Sequence, residues 1–154
     1  MKKIRISLTI KLFNWVEYIA REKDGSLYGY KCEPYYDRHY RQRYGWIPSS
    51  LISLCQCFAS GNIVPCYNWK ESLIYVGDKD RKQRFVFDIY VPDDSKYIYM
   101  SDRGSVFVSK TKPYIRKKND YWVSGEGLRC VLHTRQKCEE WRTSLCEIDK
   151  CNEV

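Results

Sequence analysis

The sequence predicts a mainly antiparallel β protein built from two tandem, similar modules, with at most short helical turns. Three observations carry that expectation. A strand-turn-strand pattern occurs twice, and every position maps with one offset of 79. Tyr18-Ile19-Ala20, Gly25-Ser26-Leu27-Tyr28, Lys31 and Pro34-Tyr35 return as Tyr97-Ile98-Tyr99, Gly104-Ser105-Val106-Phe107, Lys110 and Pro113-Tyr114. A second block, Cys66 to Leu73, returns as Cys138 to Leu145 at an offset of 72, with Trp69, Ser72 and Leu73 falling on Trp141, Ser144 and Leu145. Finally, Ile4, Ile6, Leu8, Ile10 and Leu12 alternate with Arg5, Ser7, Thr9 and Lys11, the period of a half-buried strand. Two blocks matched at fixed spacing point to an internal duplication.

Each element follows from local signals. The first strand, residues 4 to 12, belongs to the repeated unit, because Ile6, Leu8, Ile10 and Leu12 fall on Phe85, Phe87, Ile89 and Val91. Residues 15 to 21 form the second strand and 26 to 32 the third, ended by Pro34. Lys23-Asp24-Gly25 turns between them, since glycine takes positive φ without a Cβ clash. After a polar connection, the apolar run Leu51 to Phe58 reads as strand or short helix, and Leu128 to His133 as a strand. Trp69 to Leu73 suits one helical turn, with Trp69 and Trp141 facing the core, and Ile74-Tyr75-Val76 a last strand. The expected organisation is a first repeat over 1–76, a linker over 77–84, a second repeat over 85–148 and a polar tail over 149–154. A module of about 75 residues buries a marginal core alone, so the two are expected to pack together.

Composition narrows the function. The chain has 154 residues, and 27 Lys and Arg against 19 Asp and Glu give a net charge of +8, which favours an anionic partner. The opening residues alternate as a strand rather than forming a signal-peptide core, and no apolar run approaches the length of a membrane span. A cytoplasmic protein with no membrane partner is the expectation. In that compartment the eight cysteines are expected to stay reduced and to act as small buried apolar residues. No Cys-x-x-Cys knuckle is present, the nearest spacing being Cys55-x-Cys57, so neither metal nor cofactor is expected.

The candidate binding residues lie in the polar connection of each repeat. Arg38, Arg41 and Arg43 can fork onto phosphate oxygens while Tyr44 and Trp46 offer faces to a base. Arg116, Lys117 and Lys118, followed by Tyr121 and Trp122, repeat the offer. The bland alternative is a solvated loop whose Trp caps the core. Catalysis is not expected. Ser72 and Ser144 lack a neighbouring base, and His39 and His133, the only histidines, occupy non-equivalent positions outside any catalytic motif.

The pattern of Tyr18-Ile19-Ala20, the acidic turn Asp24-Gly25, Lys31-x-x-Pro34, a lone Trp46 and the closing Trp69-Lys70-Glu71-Ser72-Leu73 resembles one that recurs in small uncharacterised bacteriophage and prophage proteins. It covers most of both halves. The second copy departs from it, with Arg103 at the turn acid and Thr143 in place of Glu71. What the resemblance implies is a phage origin, and with it an anti-defence role in the host cytoplasm. The leading expectation is therefore a non-enzymatic protein sequestering an anionic, nucleotide-like ligand through the basic-aromatic loops. The alternatives are a nucleic-acid-binding module, and an inhibitor or assembly protein that engages a host protein through tyrosine-rich faces. Self-association is compatible with all three.

Overall fold

The computed structural model describes residues 1–36, 45–49, 54–77, 80–116, 118, 120–123, 126–134 and 136–151. The fold is mainly β, and among the described residues every strand pair is antiparallel and helix is confined to three short turns. The order of elements occurs twice. A long strand, β1 (Lys2–Lys11), precedes the hairpin β2 (Tyr18–Arg21) and β3 (Leu27–Tyr30), and a small hairpin, β4 (Tyr35–Tyr36) and β5 (Trp46–Ile47), follows. Next come β6 (Cys55–Gly61), a 3-10 turn at Trp69–Glu71 and β7 (Ile74–Tyr75). The same succession returns as β8 (Lys82–Val91), β9 (Tyr97–Met100), β10 (Ser105–Ser109), β11 (Tyr114–Arg116), β12 (Tyr121–Val123), β13 (Arg129–Thr134), a 3-10 turn at Trp141–Thr143 and β14 (Cys146–Glu147).

The two halves do not stand side by side as separate modules. Eight strands form one sheet in the order β14-β9-β10-β13-β6-β3-β2-β7, with β6 and β13 joining the halves at its centre. The long strands leave their own halves and pair with each other as a two-stranded ribbon. Within that ribbon Ser7 pairs with Val86, its own counterpart at the offset of 79, and at the sheet centre Ser60 pairs with His133. Both pairings map onto themselves when the halves are exchanged, as an approximate two-fold axis requires.

Period-two alternation explains why the ribbon lies on the sheet. Ile4, Leu8 and Ile10 of β1 and Phe87, Ile89 and Val91 of β8 are buried, and they join Ile19, Leu27, Val106, Val108 and Leu132 of the sheet in one core. On the outer side Arg5 faces Asp88 directly, 2.8 Å away, and that guanidinium holds the Asp88 carboxyl below its ordinary value. An exposed pair of this kind adds little stability and mainly fixes register. The free edge of β8 is bonded by the chain just after β6, with an Ile63–Ile89 bridge, Val64 N–H to the Asp88 carbonyl and Tyr90 N–H to the Asn62 carbonyl. At the equivalent edge of β1 the Gln136 side chain substitutes for backbone: its Oε1 accepts from Lys11 N–H at 2.8 Å and its amide donates to the Lys11 carbonyl.

The repeated Trp-x-x-Ser-Leu block has a mechanical role. Ser72 Oγ accepts from Arg21 N–H at 2.8 Å, and Ser144 Oγ accepts from Met100 N–H at 2.8 Å, so each 3-10 turn is sewn to the end of the hairpin it covers. Trp69 and Trp141 are buried, as the spacing leads one to expect. The turn glycines Gly25 and Gly104 take φ of 85° and 76°, the left-handed region that the sequence reserves for them.

Some expected boundaries move. β8 starts at Lys82, inside the expected linker, because Lys82 to Arg84 extend the ribbon opposite Thr9 to Lys11. The apolar run after Pro48 resolves into strand β6 from Cys55, while residues 50–53 lie outside the described ones. The expected tail begins as a short helix, α1 (Ile148–Cys151), held by the buried Ile148, whose N–H donates to the Lys96 carbonyl at 2.9 Å. The cysteine expectation needs correction. Cys32 and Cys55 are exposed, and Cys57, Cys66, Cys130 and Cys138 are only partly buried; on β6 and β13 the buried positions beside Cys57 and Cys130 are taken by Phe58, Ala59, Val131 and Leu132. Cys146 is not a reduced thiol but disulfide-bonded. Among the described residues no helix is long and apolar enough to cross a membrane, and no group of three or more His, Cys, Asp or Glu could hold a metal ion.

Replacing Phe87, which is fully buried, with alanine is expected to cost about 3–5 kcal/mol. Its exposed neighbour Val86→Ala is expected to change stability by less than about 0.5 kcal/mol. Urea titration of both variants tests this, and equal losses would refute the assignment of faces in the ribbon.

Candidate functional site

The sheet face opposite the ribbon carries the small hairpins and the 3-10 turns, and in the first half they enclose a pocket. Tyr28 and Tyr30, two apart on β3, point to the same side. Gly29 between them faces the core, where any side chain would overlap Phe58 and Val16. Trp46, at the start of β5, sits edge-on to Trp69 with ring centroids 5.9 Å apart, and Tyr36 meets Trp69 edge-on at 5.1 Å. The Lys70 ammonium lies 4.5 Å from the Tyr36 ring centre and closes this aromatic cluster from outside. Beside Trp46 lies a cavity of about 940 Å³, lined by Glu22, Lys23, Asp24, Tyr28, Tyr30, Gly45, Trp46, Ile47, Pro48, Cys55 and Pro65. That volume is within the range of small-molecule sites.

Glu22 organises the pocket. Its Oε1 accepts from Tyr30 Oη at 3.1 Å, and both carboxylate oxygens share the Trp46 N–H at 3.1 Å. The contact ties β5 to the end of β2, and so sets the position of the Trp46 ring. A Cβ at Gly45 would overlap the carboxylate and displace it. Burial raises the Glu22 pKa above its ordinary value, against the pull of these hydrogen bonds, and the Asp24 charge adds to the rise. No cation offsets it among the described residues. Two further wall groups are held neutral. Tyr28 is pushed up to about 12, first by burial and then by Cys57, and the Cys55 thiol to about 11, first by desolvation and then by the Glu22 charge. Neither wall group is an activated nucleophile.

The second half has a much smaller counterpart, a cavity of about 160 Å³ lined by Tyr99, Ser101, Asp102, Phe107, Tyr121, Trp122, Leu128 and Trp141. The offset of 79 puts Ser101 at the position of Glu22 and Ser109 at that of Tyr30, so the carboxylate-phenol pair belongs to the first half alone. Trp122 fills the space instead. It packs 5.4 Å from Tyr99 and 6.1 Å from Trp141, and its Nε1 donates to the Trp141 carbonyl at 3.3 Å. Trp46 Nε1 is buried and has no hydrogen-bond partner.

The sequence-derived site is therefore divided. Trp46 lines the large cavity, whereas Arg38, Arg41, Arg43 and Tyr44 lie outside the described residues. Tyr121 and Trp122 line the small cavity, with Trp122 acting as a lid on the core. Arg116 and Lys118 are exposed and line neither cavity, and Lys117 lies outside the described residues. The turn of this second hairpin is instead held by the Arg142–Asp120 ion pair. Glu22 and Tyr30 escape sequence reasoning. The signal that exposes them is a departure from the repeat, since both become serine in the second copy.

A second cluster lies at the sheet centre, where Cys130 Sγ is 3.5 Å from His133 Nε2 and 3.7 Å from Nδ1, and Ser105 Oγ is 3.2 Å from Nδ1. A sulfur almost equidistant from both ring nitrogens cannot lie on the lone-pair axis of either. Burial also raises the Cys130 pKa, so the pair lacks the geometry and the charge state of a thiol-imidazole dyad. The chain matches no protein-family model, no curated protein and no solved structure.

Because the folded state raises the Glu22 pKa, this group favours folding below its unfolded value near 4.5, and that contribution is lost as pH rises through the folded value. Glu22→Gln is therefore expected to gain stability relative to the parent chain between pH 4 and pH 7. Unfolding midpoints of both chains at the two pH values check it; parallel pH profiles would contradict it.

Proposed function

We propose that the protein is a non-enzymatic binding protein whose first-half pocket takes a nucleotide-like small molecule. The observation that carries the reading is the cavity itself: about 940 Å³, walled by Tyr28 and Trp46, with a carboxylate bonded to the buried Tyr30 in its lining and no activated nucleophile among its described titratable walls. Aromatic walls supply stacking surface for a planar ring, worth roughly 1–3 kcal/mol per base. The charge pattern orients such a ligand. Glu22 and Asp24 against the single described cation Lys23 make the lining unfavourable for phosphate, so the ring enters and the anionic end stays outward, toward a chain of net charge +8.

Taken with the resemblance to bacteriophage and prophage proteins, the activity is sequestration: a stoichiometric hold on a nucleotide-like signal in the host cytoplasm. No group transfer is required of the site, which needs only affinity.

The test is thermal unfolding of the full chain against a panel of nucleoside mono- and diphosphates. Binding to the folded state alone raises Tm with ligand concentration, by about 2.7 kcal/mol of stability at a hundredfold excess over Kd. Trp46→Ala is expected to abolish the rise while keeping the fold. No shift with any nucleotide would refute the reading. Binding only to oligonucleotides, falling steeply with salt, would transfer it to a nucleic-acid polymer.

A further inference from the structure

Resting on the nucleotide reading of this pocket, we infer that the base it prefers is guanine, received by the Glu22 carboxylate through the 2-amino group and the adjacent N1–H. An ionised carboxylate only accepts, with about four lone-pair sites. Tyr30 Oη and the Trp46 N–H occupy Oε1, whereas among the described residues Oε2 takes only its share of the same Trp46 N–H. Acceptor capacity therefore remains on Oε2, in a wall of the cavity, with no described cation to satisfy it.

The bases differ in what they bring to such a group. Adenine flanks its amino group with ring-nitrogen acceptors, cytosine pairs its amino group with an acceptor at N3, and uracil flanks its single N–H with two carbonyls. Each of these edges sets at least one acceptor against the carboxylate lone pairs. Guanine alone presents two neighbouring donors with no acceptor between them, and so approaches without repulsion. Burial sharpens the choice, because an unmatched polar group is penalised more where water is scarce. The second half shows the contrast within one chain. With Ser101 in place of Glu22, its cavity is only about 160 Å³ and no carboxylate stands at the Glu22 position, the one in its lining being Asp102.

The experiment is calorimetric titration of the full chain with guanosine, inosine and adenosine 5′-monophosphates. Inosine keeps N1–H but lacks the 2-amino group, so the ligand series isolates that contact without altering the protein. Guanosine monophosphate is expected to bind roughly tenfold or more tightly than the other two. Glu22→Gln should reduce that preference to less than about threefold. Equal affinity for all three ligands would overturn the guanine assignment and leave the nucleotide reading standing. No binding of any of them would overturn both. Should Glu22→Gln fail to fold, the three ligands on the parent chain still decide the question.

Discussion

The structure depends on the exchange of one strand. β1 and β8 find no partner in their own halves and pair with each other over ten residues. This single constraint makes the two halves inseparable. Phe87 and Ile89, contributed by the second half, are buried in the same core as Leu27 and Phe58 of the first. Arg21 reinforces the join by donating to the Val86 carbonyl at 2.6 Å and stacking 4.5 Å from the Phe87 ring centre. A half of about 75 residues would expose its strand and lose half its core, so size, topology and strand exchange are one argument. The outer strands β7 and β14 are two residues long, which leaves little edge for pairing with other chains.

With the ribbon covering one face, the other face is free to diverge. Both halves place a small hairpin and a 3-10 turn there, and both bury a tryptophan from the turn. They differ in what fills the space between. In the second half Trp122 bonds to the Trp141 carbonyl and closes the site. In the first, Glu22 bonds Tyr30 and the Trp46 backbone N–H, and a larger cavity remains beside them. One copy leaves a cavity of about 940 Å³ and the other one of about 160 Å³, and the two differ at the positions of Glu22 and Tyr30, which are serine in the second half.

Much of the fold was legible because it is written in strong local patterns. Alternation at residues 4 to 12, turn glycines at positive φ, and Trp-x-x-Ser-Leu each specify one element through one physical cause. The exchange of β1 and β8 was not legible, since period two says which residues are buried and nothing about the partner strand. The cysteines misled for a similar reason: Cys57 and Cys130 are apolar enough for the core, but their strands offer the inward positions to larger neighbours. In the site, Trp46 could be chosen from its aromatic-basic context. Glu22 could not, because a lone glutamate before a turn reads as surface charge until the fold brings Tyr30 and the Trp46 backbone to it.

The central claim is that the first-half pocket holds a small molecule, and native mass spectrometry of the full chain purified from bacteria tests it most directly. The account predicts a retained mass of nucleotide size at one per chain, released on denaturation and missing from Trp46→Ala. A parent chain that flies bare, and stays bare after incubation with nucleotides, would contradict it.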